Sequence, residues 1–277
     1  MGAVFSITLA VVTAGCASTP QGDGQAFRQR IHTMARSTTS ADDVRAEINF
    51  GRDVAARVLG RFPLLHDEAL TRYVSLVGTA LAVQSGRPEL SYHFAVLDTD
   101  TINAYSAPGG YIFVTRGALE LAQDESELAA VLAHEIAHVS ERHIVNALHI
   151  RARDTSGAAG LSKLLGAGTE TARVAFTQAL DQAVKILFES GYSQQDELQA
   201  DRVATLLLVD SGLDPLALRR YLARAHSKDN KAQAINTTHP PSAERLASLD
   251  RLIREEHLAD LNGARNTTRF DRYVKAQ

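Results

Sequence analysis

The chain has 277 residues, 45% of them hydrophobic, enough for one main domain with a packed core. Its 29 basic and 32 acidic residues leave a formal charge of -3 with no dense Lys/Arg run, so an electrostatic grip on nucleic acid has no source. Aromatic residues make up only 6% and Trp is absent, while Ala, Leu and Val are plentiful, which favours a mainly α protein over a β-sandwich.

Taken in chain order, residues 4–14 form an apolar stretch too short to span a bilayer, closed by the small residues Ala14 and Gly15 before Cys16. Residues 1–16 read as a signal peptide. Their ending resembles a bacterial lipoprotein signal, in which Cys16 becomes the lipidated first residue. It departs from that pattern in having no Lys or Arg before Cys16 and Thr13 where Leu is usual. Such an anchor implies a periplasmic protein held at the outer membrane; a plain secretory signal and a buried free thiol are the alternatives. Cys16 is the single cysteine, which excludes a disulfide framework and a Cys-rich zinc site, so any metal must use His and carboxylate ligands. Residues 17–41 are rich in Ser, Thr, Gly and Gln and suit a flexible tether.

The folded domain is expected over 42–262. A helix capped by Asp42 or Asp43 should run to about residue 59, and another from about 66 to 83, with Leu70, Tyr73, Val74 and Val77 on one face. Two β-rich runs follow, 92–97 and 111–115, with the turn-forming Pro108-Gly109-Gly110 before the second; they predict a small antiparallel sheet. Helices are then expected at about 117–123, 125–149, 171–190 and 193–211, with two more closing the domain and 263–277 left as a C-terminal tail. The Gly/Ala-rich residues 155–171 read as a loop or a fraying helix. Lys163, Glu170 and Arg173 interrupt any membrane-spanning run there. The fold class is α+β, mainly α with a small sheet.

His134-Glu135-Ile136-Ala137-His138 lies within a strong helical pattern set by Leu128, Val131, Leu132 and Ile136, so the two histidines stand one turn apart on one face. Neutral imidazoles at that spacing can both reach one ion at about 2.0–2.1 Å, and Glu135 projects beside the ion without ligating it. Zinc lowers the pKa of bound water towards about 7, so Glu135 can take its proton as it attacks a peptide carbonyl. His143 follows at the wrong spacing for a third ligand of the metzincin kind, and the glycine of that pattern is missing. Further on, Glu197 and Asp201 stand one helical turn apart. Spacing alone leaves open whether they are a solvated face or whether Glu197 completes a His2Glu set while Asp201 orients a ligand histidine.

Several blocks together resemble the HtpX-like and CAAX prenyl endopeptidase family of gluzincin zinc metallopeptidases, family forty-eight, and above all its periplasmic, lipoprotein-like bacterial members. They are Gly51-Arg52, the 103–114 run from Asn103 through Pro108-Gly109-Gly110 to Val114, the 127–139 run around the two histidines, Gly191-Tyr192-Ser193 leading to Glu197 and Asp201, and Thr238-His239-Pro240-Pro241 leading to Arg245. The resemblance implies a mainly helical domain with a small sheet beside one zinc, and it makes Glu197 the third ligand. It also sets the His239 loop near the metal. There His239 has three readings: a turn residue, a donor to the oxyanion, or a ligand that blocks the open zinc position, the last being favoured. Arg245 is then the better oxyanion stabiliser.

In such peptidases an edge strand pairs with the extended substrate, and the 103–114 segment is the candidate. Gly109 and Gly110 can let a substrate backbone approach, serve a hairpin turn that needs positive φ, or do both. The expected activity is endoproteolysis of unfolded or misassembled envelope proteins. The alternatives are an assembly chaperone that keeps the zinc fold with little cleavage, and a lipoprotein with a purely structural metal.

Overall fold

The computed structural model describes residues 40–148, 170–227, 238–239 and 242–276. The expected signal segment with Cys16, nearly all of the 17–41 tether, most of 155–171, and Pro240 and Pro241 lie outside them.

Helix α1, Ala41–Arg61, is capped by the Ser40 side chain, which accepts from the Asp43 amide, two or three residues ahead of the expected caps. Asp67 caps α2, Glu68–Ala82, in the same way through the Leu70 amide. Three strands follow: β1 His93–Leu97, β2 Ala104–Ala107 and β3 Tyr111–Thr115. The sheet is small as expected, but it is mixed. β3 is central, antiparallel to β2 and parallel to β1. The expectation of antiparallel pairing treated 92–97 and 111–115 as the partners; the Pro108-Gly109-Gly110 turn instead closes a hairpin between β2 and β3, and β1 takes the other edge of β3, where it runs parallel to it.

That turn bears out the hairpin reading of its glycines. Gly109 and Gly110 have φ of 77° and 100°, a region costly for residues with a Cβ. A Cβ on Gly109 would come within 2.7 Å of Ile48 Cα, and one on Gly110 within 2.7 Å of the Ser91 carbonyl oxygen. The backbones that approach are the chain's own. Gly51 makes the matching contact from α1, where a Cβ would overlap the Pro108 carbonyl, so α1 is locked against the hairpin.

Helices α3, Arg116–Leu121, and α4, Glu125–Ser140, come next. Every residue of α4 is buried, because α2, α8 (Ala217–Ser227), β2 and above all α7 (Gln194–Asp210) pack around it. α4 does not run to 149 as its apolar pattern suggested. It stops at Ser140, Arg142 takes a left-handed conformation with φ 58°, and a short helix α5, His143–Ala147, starts in a new direction. The break is held by charge: Arg142 Nε is 3.0 Å from Glu47 Oε2 on α1, and Arg87 pairs with the same carboxylate at 3.2 Å while donating to the Val139 carbonyl. Helix α6, Glu170–Lys185, ends in a π-turn over Ile186–Ser190, and α9, Ser242–Glu255, packs against α7 and α8.

Of the residues expected as a tail, 263–277, those described, 263–276, fold onto the body instead. Phe270 in the short helix α10, Thr267–Phe270, is fully buried in the main core, Tyr273 stacks on Tyr73 at 4.6 Å, and Arg269 pairs with buried Glu125. A single aromatic at Phe270 is too sparse a signal for periodicity to register.

Candidate metal centre

The site forms where α4 and α7 cross. Asp124 caps α4 through the Glu127 amide, and the helical register then sets His134 and His138 on the face towards α7. Ser193 caps α7 through the Asp196 amide, which brings Glu197 and Asp201 opposite them. All four side chains are buried.

His134 Nε2 and His138 Nε2 lie 3.0 Å apart, and Glu197 presents Oε2 at 3.5 Å from the first and Oε1 at 3.4 Å from the second. The structure also brings His239 here: its Nδ1 is 2.8 Å from Glu197 Oε1 and its Nε2 3.8 Å from Glu135 Oε1. One donor atom from each of His134, His138, Glu197 and His239 fits within 4.8 Å of the others. Glu135 stands outside this set. Its Oε2 is buried with no hydrogen-bond partner among the described residues.

Asp201 Oδ1 is 3.0 Å from His134 Nδ1. Arg245 reaches Asp201 with Nε at 2.8 Å and Nη2 at 2.6 Å, and Glu197 Oε2 with Nη1 at 2.9 Å. Its guanidinium is thus occupied by two carboxylates, and this favours a positioning role over the expected donation to an oxyanion. Burial alone would raise the Glu197 carboxyl, but the His239 and Arg245 side chains, aided by His134 and His138, hold it well below the usual range. Burial likewise opposes ionisation of Asp201, and Arg245 outweighs it. His138 is driven well below its ordinary value by burial. For His134 burial also lowers the pKa, yet the carboxylates of Asp201 and Glu197 push it up to about 9.

The donor set fits a cation. Once neutral, His134 with its hydrogen on the Nδ1 that faces the Asp201 carboxylate has a bare Nε2, and His138 presents its own Nε2 to the same point. Two ring nitrogens and an ionised carboxylate converging in a buried space repel one another unless a positive charge sits between them. The set of two imidazoles and one carboxylate is the pattern of a catalytic zinc site.

A family model for peptidase family M48 matches residues 68–253, most of the chain and the whole of this centre. The chain belongs to peptidase family M48. It is similar to the beta-barrel assembly-enhancing protease of Escherichia coli (strain K12), 29% identical over 246 residues that cover 86% of this chain and 50% of the relative. The same-named protein of Yersinia pestis is 29% identical over 239 residues, 78% of this chain and 45% of the relative. The mitochondrial metalloendopeptidase OMA1 of Schizosaccharomyces pombe is 30% identical over 188 residues, 67% and 53%. The chain therefore spans about half the length of the relatives it matches.

Three residues at the M48 centre had no role assigned from sequence. Tyr192 stacks on His138 with ring centroids 3.8 Å apart, its position fixed by Gly191 at φ 67°. His143, set aside as a ligand, stands outside the donor cluster but touches His138, and Gln199 lies beside it. The break at Arg142 is what turns His143 back, and a helix assumed continuous hides it.

Proposed function

We propose that this chain is a zinc endopeptidase in which His134, His138 and Glu197 hold the metal and Glu135 is the general base. The observation that carries the reading is the convergence of two histidine Nε2 atoms and Glu197 beside a buried, unpartnered Glu135 oxygen. Zinc bound there supplies a Lewis acid that polarises the scissile carbonyl and acidifies water. Glu135 accepts the proton of the attacking water and returns it to the leaving amine. Asp201 keeps the His134 proton on Nδ1, and Arg245 holds Asp201 and Glu197 in place. β2 is an edge strand packed on α4, which supports its pairing with an extended substrate; main-chain pairing discriminates weakly among sequences. Unfolded or misassembled envelope polypeptides are the proposed substrates, supported by the likeness to beta-barrel assembly-enhancing proteases. No helix among the described residues is long and apolar enough to cross a membrane. We propose that a lipid on Cys16 anchors the protein to the membrane, so Cys16→Ser should move it to the soluble fraction; continued sedimentation with membranes would refute the anchor.

Metal analysis tests the ligand set. Dialysed wild-type protein should retain one zinc per chain, and His134→Ala, His138→Ala and Glu197→Ala should each retain almost none. A full equivalent in all three would overturn the assignment.

The zinc affinity should also depend on pH with a definite sign. In the metal-free chain His134 titrates near 9 rather than at its ordinary value, so at neutral pH a proton occupies the site and must leave as the metal enters. His138, depressed by burial, releases none. Affinity should rise about tenfold per pH unit up to about 9 and then level off. Chelator competition at several pH values measures the slope, and an affinity flat from pH 7 to 9 would rule the competing proton out.

A further inference from the structure

His134 has Asp201 to fix its ring, whereas among the described residues no carboxylate faces Nδ1 of His138. The atom that does is Nδ1 of His143, 2.8 Å away, and both rings are buried. Two ring nitrogens at that distance require one to carry a hydrogen and the other to be bare. On the zinc reading above, His138 offers Nε2 to the metal, so its hydrogen sits on Nδ1 and is donated to His143. His143 must then accept on Nδ1 and carry its own hydrogen on Nε2.

The surroundings of His143 match that demand. Its Nε2 faces Gln199 Oε1 at 3.5 Å, with Asp196 Oδ1 at 3.7 Å. The Gln199 amide is oriented by its other end, where Nε2 donates to Glu141 Oε2 at 2.5 Å; a reversed amide would set its oxygen against that carboxylate. Hydrogen bonds thus run in one direction from His138 to His143, Gln199 and Glu141. The chain closes on itself, because Glu141 is the C-cap residue of the helix that carries His138, and Gln199 lies two residues beyond Glu197 on α7.

We propose that His143 is a positioning residue for the metal site: through the relay His143–Gln199–Glu141 it holds the second histidine ligand in the tautomer and ring orientation that present Nε2 to zinc. The two ligand histidines are then fixed by unlike partners, Asp201 for His134 and a neutral imidazole for His138. The left-handed Arg142, pinned by Glu47, acquires a purpose here. In an unbroken helix His138 and His143, five residues apart, would point about 140° away from each other, and the turn at 141–142 brings them face to face.

Two measurements test the relay. The first needs no variant: in 15N-histidine-labelled zinc-loaded protein, long-range 1H–15N spectra should show His138 protonated at Nδ1 and His143 at Nε2. The second is zinc affinity by chelator competition. His143→Leu should weaken it about 10–100-fold, the usual effect of losing an outer partner of a ligand. His143→Asn, whose carbonyl can accept from His138, should recover most of that loss, and Gln199→Met should weaken binding in the same direction. Circular dichroism of the zinc-free proteins shows which variants fold; if His143→Leu does not, the wild-type spectra decide. A His143 ring bare at Nε2, wild-type affinity in folded His143→Leu, or His143→Asn as weak as His143→Leu would each overturn the relay while leaving the three-ligand assignment standing. A His138 proton on Nε2 would overturn coordination through that atom, and with it the metal reading. Wild-type protein that holds no zinc would likewise overturn the metal reading beneath the relay.

Discussion

Purified Glu135→Gln should retain its zinc and lose peptide hydrolysis by about 10²–10⁴-fold, the range for removing a positioned acid–base group. Gln matches Glu in shape, so α4 and the ligands one residue before and three after are undisturbed, and neither His134 nor His138 exchanges a partner. What changes is the capacity to accept a proton. Glu135 Oε2 is buried with no hydrogen bond among the described residues, hence it is not engaged in holding the fold, and the amide that replaces it cannot serve as base. The measurement is turnover of an unfolded polypeptide with bound zinc determined in parallel. Turnover near wild type with zinc retained would sink the mechanism. The same variant separates the enzyme from an assembly factor that keeps the zinc fold, for which loss of Glu135 would leave envelope assembly in cells unchanged.

The reasons some of this site is legible in sequence and some is not are physical. His134, Glu135 and His138 share one helix, so their relative placement follows from 3.6 residues per turn and needs no tertiary knowledge. Glu197 is different. It comes from α7, 59 residues after His138, and nothing local says which face of α7 meets α4; resemblance to a family supplied what spacing left open. The ion pairs of Arg245 were hidden for a related reason, since its place near the centre was foreseeable while the two carboxylates that occupy it, Asp201 and Glu197, are known only once α7 and α9 are packed together. The parallel pairing of β1 with β3 escaped because β2 is only four residues long, too short for an alternating pattern to announce a strand. The end of α4 escaped because Glu141 and Arg142 look like ordinary helical surface, and the buried Glu47 that stabilises the break lies far upstream. The misses at α4 and Arg245 fall where a distant charge decides.

Removal of His239 should raise activity. In the structure its imidazole stands in the donor cluster with His134, His138 and Glu197, and a fourth protein ligand closes a site that needs an open position for water and substrate. The ring is held there by Glu197, which it meets at 2.8 Å, and by its neighbour Thr238. The Thr238 hydroxyl accepts from the Asn103 amide at 3.2 Å, and the Thr238 carbonyl accepts from the Tyr192 amide at 3.2 Å. A hydrogen bond to a charged group contributes about 1.5–3 kcal/mol. If His239 holds the site closed by that contact, His239→Ala shifts the balance towards the open form by about 10–150-fold, and cleavage of an unfolded protein by purified enzyme should rise by up to that factor. The other two roles give different signs. An oxyanion donor, once lost, would cut turnover about 10²–10³-fold, and a mere turn residue would leave it within a few-fold. Arg245 does not compete for the blocking role, because a guanidinium is a cation without a lone pair to offer a metal. The place of His239 in the donor cluster also predicts that zinc is held more tightly by wild-type protein than by His239→Ala, since one of four donors is removed. Higher turnover together with weaker zinc retention is the combined signature of a blocking ligand; unchanged or reduced turnover would end the gate hypothesis.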